Sequence, residues 1–180
     1  MIKEYTDKIL SFGFDTVCDI PTESLIFDNE LRKFCKQNLC GNYCRNYACP
    51  PICGTPDEMK QNVMKYKNTA VFHKRIQIEE NCDLNKMQED VRKCMYEAVD
   101  FLKGNGIEEI ASAPGPCCLC KECGAVKGTE CRHPDKIMSC ISAYCINAKE
   151  MAETCGIEYD GGGKTVNFFC LYFYNRRDTK

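Results

Sequence analysis

The chain is organised around a loop that reads Ala113-Pro114-Gly115-Pro116-Cys117-Cys118-Leu119-Cys120-Lys121-Glu122-Cys123, followed by Cys131-Arg132-His133-Pro134. Its cysteines have the spacing Cys-x2-Cys-x2-Cys-x7-Cys. Three cysteines separated by two residues each let one tight turn present three thiolates to a single compact group, and backbone N–H groups remain to hydrogen-bond the sulfurs. The leading candidate metal ligands are therefore Cys117, Cys120, Cys123 and Cys131.

The spacing favours an iron–sulfur cluster over zinc. Ferredoxin loops share the triple spacing, although there the next cysteine follows after three residues and proline comes directly after it. Here Arg132 and His133 stand between the fourth cysteine and Pro134. Four-coordinate zinc also accepts four thiolates, usually from two Cys-x2-Cys pairs with a longer spacer. Zinc stays open as the alternative cofactor, and a set of merely buried or disulfide-bonded cysteines fits the spacing least well.

Regular structure is predicted on both sides of this loop. A strand over about residues 108–112 leads into it, which would hold the loop rigidly. Before that strand, apolar residues recur every three or four positions over residues 83–103 and end at Gly104-Asn105-Gly106, which predicts a helix. A further helix is predicted over about residues 142–154. One face of it would carry Tyr144, Cys145, Ala148, Met151, Ala152 and Cys155.

A second cysteine-rich segment covers residues 35–53. Its five cysteines are Cys35, Cys40, Cys44, Cys49 and Cys53. Gly41 and the pair Pro50-Pro51 exclude regular structure here, so a bound metal or cluster would have to impose the conformation. Because these spacings match no single ligand signature, the segment is weaker evidence for a site than the first loop.

The remaining patterns predict an α+β fold. Helices are expected over residues 1–12, 29–37 and 55–66, the last with Thr55 as N-cap and Glu58 completing a capping box. Strands are expected over residues 16–20, 69–78 and 166–174, and the last is apolar throughout, as in a central strand buried on both faces. We therefore expect residues 1–180 to form a single-domain sandwich. It would have a sheet of about four strands, helices packed on the sheet, and cysteine-rich metal-binding loops at one end.

Composition narrows the class of protein. The chain has 17 cysteines in 180 residues and a net charge of −2, so no basic field for nucleic acid is present. The N-terminus lacks the apolar core of a signal peptide, and no run of 18 apolar residues occurs. We expect a soluble cytoplasmic protein, without membrane or nucleic-acid partners, whose thiols bind metal rather than form disulfides. So many thiols would also fit an anaerobic source.

Two stretches carry a resemblance to a known family. The first is Cys40-Gly41-Asn42-Tyr43 with Cys49-Pro50-Pro51; the second runs from Ala113 to Pro134 and is followed by Ser139 and Ala143-Tyr144. Together they resemble the small, cysteine-rich prokaryotic proteins described as predicted metal-binding proteins of unknown function. The resemblance implies metal ligation by Cys35, Cys40, Cys49, Cys117, Cys120, Cys123 and Cys131. The chain departs from it in having cysteines at Cys44, Cys140 and Cys145.

Three hypotheses follow from these patterns. The first is an iron–sulfur protein with one or two [4Fe–4S] clusters, which transfers electrons to a redox partner; its second centre would use Cys35, Cys40, Cys49 and Cys44 or Cys53. The second is an enzyme whose three-cysteine cluster leaves one iron open to substrate. The third is a structural zinc protein or a carrier that passes metal to a partner protein. Whether the protein is an enzyme, and its oligomeric state, stay open.

Overall fold

The computed structural model describes residues 2–80, 82–107 and 109–175. Within these residues four strands form one antiparallel sheet in the order β1-β2-β4-β3. The strands are β1 (Thr16–Pro21), β2 (Asn68–Gln77), β3 (Ile110–Ser112) and β4 (Thr165–Tyr174). Strand β4 is central and is buried on both faces from Phe168 to Tyr174, as its continuous apolar sequence predicts.

Six α-helices occur in the same described residues. They are α1 (Thr6–Ser11), α2 (Arg32–Lys36), α3 (Pro56–Val63), α4 (Leu84–Gly104), α5 (Ile141–Tyr144) and α6 (Ala148–Thr154). Short 3-10 turns precede α1 and α2, and two more, Gly124–Lys127 and Pro134–Lys136, lie in the long connection between β3 and α5. None of the described helices is long and apolar enough to cross a bilayer.

The sheet lies between two layers of helices. On one face Phe72 and Tyr172 pack against α4 through Met95 and Leu102, and α1 adds Ile9. On the other face residues of β2 and β4 pack against α3, α5 and α6. Side chains of successive strand residues point to opposite faces, so both apolar layers come from the same continuous strands. Each large apolar side chain buried in this way contributes about 1.5–3 kcal/mol.

The structure confirms the predicted α+β class and the sheet of four strands. Asp83 caps α4, and Thr55 and Glu58 form the predicted capping box of α3. One element is wrong: the single helix predicted over residues 142–154 is two helices, α5 and α6. The break occurs at Cys145, which has the left-handed φ of +58°. Met1 and Glu108, the first residues of two predicted elements, lie outside the described residues, as do residues 176–180 of the predicted domain.

Candidate metal centres

The first predicted set of ligands shares one cavity. A small cavity of about 20 Å³ is lined by Cys117, Cys120, Cys123 and Cys131. The loop that carries them begins at the end of β3, where the N–H of Ala113 donates to the Ser139 carbonyl at 3.3 Å. The strand therefore delivers the chain to the thiols, as the sequence predicts. We call this cavity the first cavity.

Two glycines allow the backbone of this loop to fold tightly. Gly115 has φ +70°, and a Cβ there would lie 2.7 Å from Oε1 of Gln88 on α4. A Cβ on Gly124 would lie 2.7 Å from the carbonyl oxygens of Thr129 and Glu130. Residues 124–130 therefore turn back on themselves closely enough to bring the fourth cysteine to the first three, which is why a spacer of seven residues still closes the site.

Polar groups around the first cavity hold its ligands in place. The N–H of His133 donates to the sulfur of Cys131 at 3.4 Å, the kind of contact that thiolate-bound clusters use. Asn46, which is 4 % exposed, donates its amide to the Cys117 carbonyl at 3.0 Å. The Tyr47 hydroxyl donates to the Thr129 carbonyl at 2.6 Å. Asn46 and Tyr47 belong to the second cysteine segment, so the two cysteine regions support one another.

A second cavity, of about 210 Å³, is lined by four further thiols. They are Cys35, Cys40, Cys49 and Cys140. The first three come from the second cysteine segment, whereas Cys140 lies directly before α5. Phe34, Tyr43 and Pro50 complete the wall on the side of the cysteine segment, and Gln88 and Ser142 contribute polar atoms from α4 and α5. We call this cavity the second cavity.

Local backbone structure explains how the second cysteine segment curls around this cavity. Cys35 lies in the last turn of α2, and Asn38 and Gly41 both take left-handed φ values, of +54° and +70°. The Asn38 side chain accepts the N–H of Tyr43 at 2.9 Å, which closes the turn that carries Cys40. The Pro50–Pro51 bond is cis, and the Pro50 carbonyl accepts the N–H of Cys44 at 2.9 Å.

The thiols of the second cavity influence one another electrostatically. Burial raises the pKa of Cys49 to about 12, and the neighbouring Cys140 and Cys40 add to the rise. Burial and then Cys140 raise the pKa of Cys35 to about 11. Burial also raises the pKa of Cys140, whereas the N–H groups of Ala143 and Ser142 and the charge of Arg92 act in the opposite direction. Four thiols this close cannot all ionise without a cation between them.

Two buried arginines lie beside these thiols. Arg92 on α4 is fully buried and donates to the carbonyls of Ala113, Pro114, Gly115 and Met138 at 2.6–3.2 Å. Arg32, in α2, is 6 % exposed and donates to the carbonyls of Gly54 and Ala143, and its charge offsets part of the rise that burial causes in the pKa of Cys35. Within the part of the chain that the structure describes, neither guanidinium forms an ion pair with a carboxylate.

Buried charge without a counter-charge is unfavourable by several kcal/mol, so these cations indicate where negative charge belongs. Thiolate ligands of a bound metal centre would supply that charge. The cysteines therefore fit a thiolate-bound group at both cavities by their donor atoms, with an N–H contact to sulfur at the first cavity and buried positive charge near the second.

The structure places the other two predicted ligands outside the linings of both cavities. Cys44 is exposed. Cys53 is half-buried under α3, with its sulfur 3.4 Å from the sulfur of Met59. All 17 cysteines are free thiols.

Sequence reasoning left Cys140 open as an additional ligand or an incidental thiol, and it missed Arg92 and Asn46. Of these two residues, only Arg92 is indicated by the sequence, because a charged residue there interrupts the apolar stripe of α4. Among the described residues, no group of three or more His, Cys, Asp or Glu side chains is arranged to hold a single metal ion.

An α+β scaffold with two thiol-lined cavities defines a cysteine-rich protein with candidate metal-binding loops. The comparison with protein families agrees. Residues 18–173 match the family described as predicted metal-binding protein (DUF2284), and the chain belongs to that family. This confirms the resemblance drawn from the cysteine motifs. No curated protein and no solved structure matches the chain.

Proposed function

We propose that this protein is an iron–sulfur protein whose cluster transfers single electrons. In this proposal residues 1–180 form one domain, and a [4Fe–4S] cluster is held by Cys117, Cys120, Cys123 and Cys131. Four thiolate ligands occupy every iron of a cubane, so the bound cluster would supply electron storage rather than a site for substrate. The reduced state of all 17 cysteines fits a cytoplasmic setting, and the partner would be another redox protein.

The observation that carries the proposal is that the four cysteines selected by spacing line one cavity. The N–H of His133 directed at the Cys131 sulfur adds a hydrogen bond of the type that tunes cluster potentials. Arg132 donates to the Glu122 carbonyl at 2.7 Å, which ties the fourth ligand's segment to the turn that carries the first three. These residues would position the cluster and its sulfurs.

The test is the iron, zinc and acid-labile sulfide content of anaerobically purified protein, with the visible spectrum of the same sample. We expect at least about four irons and four sulfides per chain and broad absorption near ~400 nm. Cys118→Ala serves as the matched control, because Cys118 stands between two proposed ligands and does not line the cavity. Cys120→Ala should lose about four irons, whereas Cys118→Ala should keep them.

Two results would contradict the proposal. Zinc bound without sulfide would leave a structural zinc protein or metal carrier, since such a protein binds metal as single ions. Equal iron content in Cys120→Ala and Cys118→Ala would show that the spacing does not identify the ligands.

A further inference from the structure

We propose that a second [4Fe–4S] cluster is bound in the second cavity by Cys35, Cys40, Cys49 and Cys140. This inference rests on the proposed function, because it takes the protein to be an iron–sulfur protein. The inference adds Cys140, which is far in sequence from the other three ligands. It also makes the second centre a four-thiolate cluster, with no open iron for a substrate.

The geometry of the second cavity is the first support. Four of the eleven residues that line this cavity of about 210 Å³ are cysteines. A cubane has ligands on four separated irons, so its sulfurs stand apart around the cluster. The second cavity therefore offers one cysteine for each iron of a cubane.

The position of Cys140 is the second support. Its carbonyl accepts the N–H groups of Ala143 and Tyr144 at 2.9 and 3.3 Å, which anchors it as the N-cap of α5. The preceding residues are fixed as well, since Arg92 binds the Met138 carbonyl and Ser139 pairs with Ser112 at the edge of the sheet. A cysteine held this rigidly at a cavity wall is preorganised as a ligand.

Charge is the third support. The Arg32 guanidinium donates to the carbonyl of Ala143, three residues after Cys140, and the Arg92 guanidinium donates to the carbonyl of Met138, two residues before it. Each cation is buried and donates hydrogen bonds to backbone carbonyls. Four thiolates and a cluster in the cavity would supply negative charge near these two buried cations.

The two cavities share a wall. Gly115 and Pro116 line the second cavity, and the next residue, Cys117, lines the first. Asn46 follows Cys44 in the second segment and binds the Cys117 carbonyl. Two clusters in these positions are neighbours, so one electron can pass from the reduced cluster to the oxidised one without proton transfer or bond cleavage. The protein then carries electrons through a pair of centres.

The experiment compares Cys140→Ala with Cys44→Ala in anaerobically purified, full-length protein. Cys44 is the matched control because it lies in the second segment but outside the cavity lining. Wild type and Cys44→Ala should contain about eight irons per chain, and the dithionite-reduced form should show the broadened electron paramagnetic resonance of two interacting clusters. Cys140→Ala should contain about four irons and an unbroadened signal, or about seven irons with a [3Fe–4S] signal in the oxidised form.

A second measurement uses the wild-type protein and so does not depend on a variant's folding. Native holoprotein is treated with iodoacetamide under anaerobic conditions, and modified cysteines are identified by mass spectrometry. Cys44 should be modified, whereas the proposed ligands Cys35, Cys40, Cys49 and Cys140 should be protected until the clusters are removed. Early modification of Cys140 would overturn its assignment.

The outcomes separate this inference from the proposed function. About four irons in wild type, unchanged in Cys140→Ala and lost in Cys120→Ala, would overturn the second cluster and leave the first intact. Eight irons with an unchanged spectrum in Cys140→Ala would overturn the role of Cys140. Absence of iron and sulfide from wild type would overturn both.

Discussion

Replacing the buried Arg92 by methionine should destabilise the protein strongly, even though no ion pair with a carboxylate is lost. The guanidinium donates four hydrogen bonds, to the carbonyls of Ala113, Pro114, Gly115 and Met138. A hydrogen bond from a charged donor contributes about 1.5–3 kcal/mol, and methionine would leave all four carbonyls without this partner. Since the four bonds share one group they do not add fully, and we expect a loss of about 3–5 kcal/mol.

The assay is thermal unfolding of the anaerobic holoprotein at one fixed scan rate, together with iron content. For a chain of this length the loss corresponds to a fall in Tm of about 6–20 °C. Arg75→Met is the control: Arg75 pairs with Glu158 near the surface, so its removal should lower Tm by less than about 4 °C. If Arg92→Met melts within about 2 °C of wild type, the guanidinium does not hold the cysteine loop and the reasoning is refuted.

Three further predictions concern the metal and the scaffold. Removing the metal by chelation should lower Tm by more than about 10 °C, because the cysteine loops have little regular structure of their own; a cooperative transition at nearly the holoprotein's temperature would contradict this. Phe72→Ala opens a cavity in the core between β2 and α4 and should lower the free energy of unfolding by about 3–5 kcal/mol, while the iron content per soluble chain stays unchanged. A parallel loss of iron would show that scaffold and site are not separable. Thr55→Ala removes the capping box of α3 and should lower the free energy of unfolding, measured in urea on the same preparation, by about 1 kcal/mol. No measurable change would mean that the cap is dispensable.

The elements predicted best were those with several agreeing local signals. Helix α4 has an apolar stripe, an N-cap in Asp83 and a glycine-containing end, and its observed bounds differ from the prediction by one residue at each end. The capping box of α3 is equally local, since it involves residues only three positions apart. Strand β4 was recognised as central because a continuous apolar run has to be covered on both sides. Local sequence patterns therefore suffice to predict these two helices and the central strand.

The break between α5 and α6 was missed because its cause is not local. Residues 142–154 have helical periodicity, but Cys145 turns out of the helix so that its carbonyl accepts the N–H of Asp28 at 2.8 Å. Ile146 then forms a bridge with Phe27. Both contacts join segments more than 100 residues apart, so only the folded chain shows them. The same tertiary packing brings Cys140 to the second cavity, which spacing alone could not have predicted.

One clue to the buried charge was nevertheless present in the sequence. Arg92 lies beside Val91 and in phase with Met95 and Val99, on the side of α4 that a helix of this pattern buries. A charged residue at a core position is unfavourable unless the fold provides partners, so it indicates either a structural conflict or a site. The loop it binds, led by Pro114 and Gly115, offers carbonyls but no negative charge. Thiolates of the proposed clusters would complement the remaining charge of the guanidinium, which would connect the stability of the scaffold to the state of the cysteines.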